Sequence, residues 1–455
     1  MVDQVVDTDQ VEVSANGNSS PAPDESAPLP KPDDDQIAQY IAALWLAVVA
    51  FLRGRWYWYK HGYWHELDRA EVAQKVREIL RQFRIRRIEV SARRIESVMK
   101  LLEYDQNVPN RVLIEAERLQ IQYINFRNSL YSLKLHQAEE HRRDLYFTYQ
   151  LDYDYDPDAD CPHFRQFLKT SLTKDASGKE PDWEMINHFQ EQMAYALTGH
   201  TGLQSSVWLV GPAASGKSTA IKLMLSLAGP MGGALDLNQL GQNRYQLATL
   251  EGKRVVTCTE SDTAVLPDGI FKALTGGGDP IQVEEKYKQP YTFVPMAKMW
   301  WAMNDAPRTK DRSGALMRRL YPIVFTRTIP LEERIADLDM KLEQERAGIF
   351  AWAMVGLKRL QRRGKFVMPE RSRLWLAEYA LRNDYPRLFQ REVMEAAPDN
   401  WILSTELYDR YADWCMRQGV SKMSQPAMKA EWQRIGFQFR EIATGSQYGG
   451  WRFKA

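Results

Sequence analysis

The sequence predicts a multidomain α/β protein with a helical N-terminal part, a core built on a parallel β-sheet, a helical extension and a mixed C-terminal domain. Its 455 residues are 44% hydrophobic and 26% charged, which is ordinary globular composition and enough for several domains. Between Ile186 and Phe325 apolar strands alternate with helical stretches and glycine loops, the pattern of an α/β domain. The predicted boundaries are a tail (1–35), an N-terminal hairpin and helical domain (36–180), the core (181–330), a helical extension (331–392) and a C-terminal domain (393–455).

The tail is strongly acidic. It holds nine Asp and Glu residues against Lys31, so the near-neutral charge of +1 combines a tail of −8 with a body of +9. The tail is rich in Ser and Pro without apolar periodicity, and we expect it to be disordered. The overall charge excludes a global field that draws the protein onto nucleic acid or anionic lipid, and it leaves local contacts open.

The next stretch, Ile37 to Leu52, is apolar. Its 16 residues include Gln39 and Tyr40 and are short for a bilayer span, so we predict a buried helix, no membrane anchor and, without a basic n-region, no secretion. Gly54 to Trp64 is aromatic and predicts a β-hairpin. From about Asp68 to about Gln150 the spacing of apolar residues predicts helices. Residues 69–100 hold ten basic and four acidic side chains, which form either a solvated face or a nucleic-acid surface.

Residues 152–160 carry alternating aspartates. A calcium loop is excluded because its sixth position is Pro157 and its twelfth is His163, where Gly and Glu are needed. A two-metal aspartate pair stays open, but a polar turn leading to Phe164 is the favoured interpretation. Three cysteines, Cys161, Cys258 and Cys415, lack paired spacing, which favours a reduced compartment and no structural zinc.

The most specific motif follows the apolar strand Val207 to Val210 and precedes a helix. It fits the phosphate-loop pattern G-x-x-x-x-G-K-[ST]. In such a loop backbone N–H groups surround the phosphates, Lys217 reaches the terminal phosphates and Ser218 ligates Mg²⁺. The residues predicted to bind ATP are Gly211, Pro212, Ala213, Ala214, Ser215, Gly216, Lys217, Ser218 and Thr219.

Three further positions suit nucleotide hydrolysis. A β-branched strand from Arg254 ends near two acids, of which Glu260 is predicted to polarise the attacking water and bind the metal, and Asp262 is a second acid. Asn304 ends another apolar strand, either beside the γ-phosphate or as a turn residue. The pair Arg318 and Arg319 precedes a strand and can neutralise charge on the transferring phosphate, as an arginine finger if a neighbouring subunit supplies it.

Between the strand that begins at Arg254 and the strand that ends at Asn304 lies a glycine-rich segment with a cationic, aromatic tip. Three glycines (276–278) precede a short strand, and Lys286, Tyr287 and Lys288 follow it, with Lys272 upstream. Ammonium groups contact backbone phosphates and a tyrosine ring stacks on a base, so we predict single-stranded DNA binding here.

Taken in order, these residues resemble the superfamily 3 helicases, in particular the helicase part of phage and plasmid primases and of the poxvirus primase-helicase. The similarity runs from about Arg55 to the C-terminus. It rests on Gly211 to Thr219, the strand ending at Glu260, Leu274 to Gly277 with Lys286 to Lys288, the strand ending at Asn304, Arg318-Arg319, and Gly348 to Ala353. The segment Leu403 to Cys415 resembles the winged-helix domain that often ends such proteins.

The resemblance implies a helical collar, an AAA+-like motor and a ring, usually a hexamer, that hydrolyses ATP with Mg²⁺ and moves 3′ to 5′ on DNA. Ser261 separates the two acids that are adjacent in many members. Only a tail and one helix precede the hairpin, so we expect no primase domain, a separate primase or initiator as partner, and the cytoplasm of a bacterial host for a phage or plasmid protein. Two alternatives stay open: a P-loop packaging motor or protein-remodelling loader, and an ATP-switched origin-binding initiator.

Overall fold

The computed structural model describes residues 31–82, 89–236, 240, 244–258, 265–284, 289–311 and 314–454. The chain divides into two compact units, one formed by Met1–Tyr57 with Leu67–Val108 and the other by Trp58–Glu66 with Pro109–Ala455. None of the helices in these described ranges is long and apolar enough to cross a membrane.

Within the first unit, helix α1 (Asp34–Leu44) begins inside the predicted tail. The Asp33 side chain accepts a hydrogen bond from the Gln36 backbone, and the Gln36 side chain accepts one from the Asp33 backbone. Asp34 and Asp35 lie in the first turn, where negative charge is favourable to the helix dipole. The end of the acidic segment therefore begins a helix. Residues 1–30, for which we predict disorder, lie outside the described residues.

The prediction of one helix from Ile37 to Leu52 is wrong. Helix α1 ends at Leu44, and strand β1 (Val49–Leu52) follows. Valines at the end of the apolar run favour extended backbone, and Phe51 exchanges backbone hydrogen bonds with Gln106 (2.8 Å) and Val108 (3.1 Å). Helices α2 (Arg69–Gln82) and α3 (Ala92–Asp105) complete this unit and bury apolar residues at helical spacing, as predicted.

The aromatic hairpin is confirmed. Strands β2 (Arg55–Lys60) and β3 (Tyr63–Leu67) are joined by His61 and Gly62, whose φ angles of 51° and 86° make the tight turn. The indole N–H of Trp64 donates to the carbonyl of Arg143 at 3.0 Å, which satisfies a nitrogen that burial would otherwise leave unpaired.

The helical prediction fails beyond residue 120. Helix α4 (Asn110–Gln120) is followed by an antiparallel meander of β4 (Tyr123–Asn125), β5 (Leu130–Ser132) and β6 (Gln137–Glu139). Turn-forming residues at 127–129 interrupt the helical spacing, and the short aromatic segments on either side fit a half-buried sheet.

The aspartate-rich segment is the predicted polar turn. Its carboxylates form ion pairs with arginines: Asp152 with Arg346 (2.6 Å), Asp154 with Arg127 (2.8 Å) and Asp160 with Arg165 (2.8 Å). These pairs engage the acids individually, which disfavours a shared metal. Helix α5 (Pro162–Ser171) follows and buries its Phe side chains, Phe164 and Phe167.

The core confirms the predicted parallel sheet. Five strands lie in the order β13-β7-β12-β9-β8, and each pairs in parallel with its neighbour. Their bounds are β7 (Ser206–Val210), β8 (Gly232–Ala234), β9 (Val255–Cys258), β12 (Lys298–Met303) and β13 (Leu320–Val324). Helices and a hairpin occur between or before these strands: α6 (Trp183–Leu197), α7 (Lys217–Ala228), α8 (Arg244–Ala248), α9 (Asp268–Leu274), and β10 (Ile281–Val283) with β11 (Tyr291–Phe293).

Alternation along the central strands distributes aromatic side chains between the two faces of the sheet. Trp208 and Trp301 stack at 5.5 Å with an interplanar angle of 11°, on one face. Trp300 contacts Phe189 of α6 edge-to-face at 5.5 Å on the other. Because successive strand residues point to opposite faces, one central strand contributes to both cores.

After residue 330 the chain is helical, as predicted. Helices α10 (Leu338–Gln344), α11 (Arg346–Arg363), α12 (Glu370–Asn383) and α13 (Tyr385–Val393) lead to β14 (Met394–Leu403), α14 (Ser404–Arg417), α15 (Gln425–Arg434), β15 (Gln438–Ile442) and β16 (Gly445–Phe453). The last three strands form an antiparallel sheet in the order β14-β16-β15. Phe389, Tyr411 and Trp432 centre a separate C-terminal core.

Two buried cations anchor the amino edge of the parallel sheet. Arg254 donates to the carbonyls of Gln120 (2.8 Å), Tyr123 (2.9 Å) and Leu197 (3.1 Å), two of which end helices α4 and α6. Lys298 donates to Thr198 and to Met296 (2.9 Å), and burial, with the nearby charge of Arg254, lowers its pKa well below the ordinary value. Cations suit the negative ends of helices, so these residues join the helices to the sheet.

We expect Arg254→Met to destabilise the protein because it leaves buried carbonyl oxygens without donors. The free energy of unfolding should fall by about 2–3 kcal/mol, measured by urea denaturation. Arg362→Met, an exposed arginine that bonds only within its own helix, is the matched control and should change little. Equal stability of the two variants would contradict the anchoring role.

Candidate functional site

The predicted phosphate loop lies at the carboxyl edge of the sheet. The buried strand β7 enters it at Gly211, and α7 leaves it at Lys217. Gly211, Ala214 and Gly216 have φ angles of 139°, 53° and 103°, so the loop turns through left-handed backbone. A Cβ on Gly211 would lie 2.3 Å from the Phe325 carbonyl oxygen, so only glycine fits where β13 ends against the loop.

Lys217 is folded into the loop. Its side chain is only 5% exposed. Its Nζ donates to the carbonyls of Gly211 (2.8 Å) and Pro212 (2.6 Å) and lies 3.4 Å from Ser215 Oγ. A buried ammonium held by backbone carbonyls at the N-terminus of a helix is suited to exchange them for phosphate oxygens.

Asn304 lies beside this loop. Strand β12 pairs with β7 in parallel, with Met303 opposite Val210, so Asn304 and Gly211 leave the sheet at the same edge. Both the loop, from Ala213 to Thr219, and Asn304 line one cleft of about 340 Å³. The structure therefore brings together two predicted elements, although Lys217 and Asn304 are 87 residues apart in sequence.

The predicted acids follow β9. Cys258 pairs with Trp301 on β12, so β9 runs to the same edge of the sheet. Glu260 and Asp262 lie outside the described residues, and their roles stay predictions.

Arg318 and Arg319 lie at the opposite edge. Leu320 pairs with Ser206 at the beginning of β7, so the two arginines precede the sheet where the phosphate loop follows it. Arg318 is exposed, whereas Arg319 is 7% exposed and donates to the Ala315 carbonyl at 2.5 Å. Burial, and then the charge of Arg318, lower the pKa of Arg319.

The predicted DNA hairpin is confirmed as a hairpin. Strands β10 and β11 pair antiparallel, with Ile281 opposite Phe293 and Val283 opposite Tyr291. Lys286, Tyr287 and Lys288 lie outside the described residues. Lys272, on α9, has an ion-pair partner within the chain, since its Nζ lies 3.5 Å from the buried carboxylate of Asp311.

Sequence reasoning missed one wall of the cleft, which is formed by the segment after β13. Thr328 Oγ1 donates to the Ala213 carbonyl at 2.9 Å, and the Ile329 N–H donates to that of Ala214 at 3.0 Å. The same segment lines the cleft with Ile329, Glu333, Arg334, Ile335 and Leu338. Its residues carry no motif, and only hydrogen bonds made across the folded chain show that it holds the loop.

The opposite wall was also missed. It comes from α5, which contributes Phe167, Thr170 and Ser171. Their spacing of three and four places them on one face of a helix, which was visible in the sequence. The sequence did not indicate what that face would meet.

The cleft fits a nucleoside triphosphate. Its loop turns through left-handed glycines, Lys217 supplies the positive charge, and a helix begins at the loop. The exposed Ser218 would hold an accompanying Mg²⁺, which would neutralise phosphate charge, and Glu260, outside the described residues, stays the other predicted ligand.

Comparisons with known proteins divide the chain into two matched segments. Residues 39–172 match the family described as "D5 N terminal like", and residues 209–319 match DUF5906, a family of unknown function. A protein of Acanthamoeba polyphaga mimivirus named "Putative helicase L207/L206" is 28% identical over 154 residues, which are 32% of this chain and 16% of that protein. The aligned part is thus a small fraction of its relative's length.

Solved structures of the NrS-1 C terminal region share the fold. Two apo structures align with TM-scores of 0.52 and 0.51, at 10% and 11% identity, over 92% of this chain and 100% and 99% of theirs. The resemblance to phage and viral primase-helicases is thereby confirmed. The two family segments, the helicase-named relative and the shared fold together fit a phage or viral primase-helicase-like protein.

Proposed function

We propose that this protein is an ATP-dependent DNA helicase of superfamily 3 that works as a ring, with a hexamer and 3′ to 5′ movement as the specific expectation. The observation that carries the proposal is the phosphate loop beside Asn304 at the carboxyl edge of a five-stranded parallel sheet. The D5 N terminal like segment and the helicase-named relative support it.

The proposed reaction is hydrolysis of ATP to ADP and phosphate. Lys217 exchanges its carbonyl partners for the terminal phosphate oxygens, and Asn304 hydrogen-bonds the γ-phosphate or orients the attacking water. Glu260 polarises that water, with Asp262 as a second acid. Mg²⁺, when bound with ATP, neutralises part of the charge that develops on the phosphoryl group.

Arg334 lines the cleft from within the subunit, whereas the pair Arg318 and Arg319 lies too far from the phosphate loop of its own subunit to stabilise charge there. Five residues of strand, at about 3.3 Å each, separate the edge that carries Arg318 from the loop by roughly 16 Å, beyond the reach of an arginine in the same subunit. Arg318 is exposed and can face a neighbour, whereas Arg319 is buried and bonded within its own turn. We therefore assign the finger to Arg318, and this assignment supports oligomerisation.

DNA is assigned to the β10–β11 hairpin, with Lys286 and Lys288 on phosphates and Tyr287 on a base. Lys272 assists through its position on α9. The order of α13, β14, α14, α15, β15 and β16 supports a winged-helix C-terminal domain, and the helices of the N-terminal region support a collar. The proposed partners are single-stranded or forked DNA, a separate primase or initiator, and further copies of the chain. A membrane is not among the proposed partners.

The first test separates the motor from the DNA hairpin. Lys217→Ala should lower the ATPase rate by about a hundredfold or more, because the phosphates lose a stabilising positive charge. Strand separation should be lost together with the ATPase activity. Lys286→Ala should retain most ATPase activity and lose unwinding of forked DNA. Lys365→Ala, an exposed lysine elsewhere in the chain, is the control for charge loss.

Two results would redirect the proposal. Normal strand separation by Lys286→Ala would sink the hairpin assignment. A single stoichiometric burst of hydrolysis, unaffected by single-stranded DNA, would favour the ATP-switched initiator over the helicase.

The second test asks whether Arg318 acts between subunits. Lys217→Ala and Arg318→Ala should each lack steady-state ATPase activity alone. When they are mixed and allowed to assemble, some interfaces combine an intact Lys217 with an intact Arg318, so part of the activity should return, as measured by phosphate release.

Arg319→Ala is the comparison for this test. We expect it to lower thermal stability, because the guanidinium is buried, and we expect no recovery that depends on mixing. Full activity of Arg318→Ala alone, or equal complementation by Arg319→Ala, would refute the assignment.

A further inference from the structure

The cleft extends beyond the phosphate loop to a mostly apolar end. This end lies between α5 and the beginning of α10, and its half-buried side chains are Thr170, Ile335 and Leu338, backed by the buried Phe167. The exposed Glu333 and Arg334 also line the cleft, directly before Ile335. Half-buried apolar atoms at the mouth of a cleft remain available to a ligand, and they favour one with a flat apolar surface.

Helix α5 contacts the phosphate loop directly. A Cβ built on Gly216 would lie 2.8 Å from Ser171 Oγ and 2.9 Å from the ring of Phe167, so the last glycine of the loop is required where α5 packs. Ser171 Oγ is fully buried and has no hydrogen-bond partner among the described residues. An unpaired buried hydroxyl against a binding loop is a group that a ligand or its water can satisfy.

The two walls are held in place before any ligand binds. Glu345 Oε1 accepts from the His163 backbone (3.0 Å), and Oε2 accepts from that of Phe164 (2.9 Å) at the N-terminus of α5. Glu345 directly follows α10, so it joins both walls of the cleft. Lys222 on α7 pairs with Asp339 on α10 at 2.7 Å, and this ion pair connects the helix after the phosphate loop with the helix that begins at Leu338.

We propose that this end of the cleft binds the nucleobase of the nucleoside triphosphate, with α5 as one wall and Ile335 and Leu338 as the other. The inference rests on the proposed nucleotide hydrolysis and adds where the base binds. The Thr170 hydroxyl donates to the Gln166 carbonyl at 3.0 Å, so towards a base it can act only as an acceptor, while the buried Ser171 hydroxyl lies against the phosphate loop.

The assignment gives the D5 N terminal like segment a role in nucleotide binding. Helix α5 lies at the end of the matched range 39–172, whereas the phosphate loop lies in the DUF5906 range 209–319. One nucleotide would therefore bridge both segments, with its base on the first and its phosphates on the second. Nucleotide occupancy would then be communicated to the N-terminal segment by direct contact.

The test compares ATP with inorganic tripolyphosphate, which has the phosphates but no base. Ile335→Ala removes apolar surface from the base wall, so the Kd for ATP should rise about three- to tenfold, while the Kd for tripolyphosphate should change less than about twofold. Thr170→Trp fills the same space and should weaken ATP binding further without weakening tripolyphosphate. Leu331→Ala, 77% exposed on the same segment and outside the cleft lining, is the control.

The outcomes separate the two proposals. If the unmodified protein binds neither ATP nor tripolyphosphate, the proposed nucleotide hydrolysis is wrong. If it binds both and Ile335→Ala weakens them equally, or Thr170→Trp binds ATP normally, the base assignment is wrong while the phosphate site stands. Circular dichroism of each variant shows whether a general loss reflects unfolding.

Discussion

The site depends on the parallel pairing of β7 with β12 and β13. This pairing places Gly211 and Asn304 at the same edge of the sheet and holds the Phe325 carbonyl against the loop, where no side chain fits. Because parallel strands share one direction, the pairing also sends Arg318 to the other edge. One geometric constraint therefore brings the loop and Asn304 together at one edge of the sheet and leaves Arg318 and Arg319 at the other.

Buried charge is distributed in the same polarised way. At the amino edge, Arg254 is bonded to the Gln120 carbonyl at the end of α4 and Lys298 to the Thr198 carbonyl at the end of α6, which stabilises the junction with these helices. At the carboxyl edge, Lys217 is bonded to carbonyls of a loop that can release it. All three donate to backbone carbonyls, but of the three only Lys217 lies in a cleft of about 340 Å³, where the proposed nucleotide would replace those acceptors.

Much of the core was predictable because its signals are local. Strand β12 (Lys298–Met303) ends directly before Asn304, as predicted, and the phosphate loop has a fixed spacing with a strand before it and a helix after it. The N-terminal errors have the opposite cause. Ile37 to Leu52 and the stretch beyond residue 120 have apolar patterns that fit helix or strand. Hydrogen bonds with the distant Gln106 and Val108 selected the strand at Phe51, and pairing with the neighbouring β5 selected strand β4.

The parallel α/β core, the glycine-rich loop after β7 and the β10–β11 hairpin were predictable from the sequence alone, since glycine spacing and strand periodicity are properties of short segments. Only the tertiary structure decided that α5 and the segment after β13 wall the cleft, and that Arg318 is exposed while Arg319 is buried. The contacts that form the two walls join segments that are distant in sequence, since 45 residues separate Ser171 from Gly216 and 115 separate Ala213 from Thr328. No local pattern encodes such contacts, because each depends on how the whole chain packs.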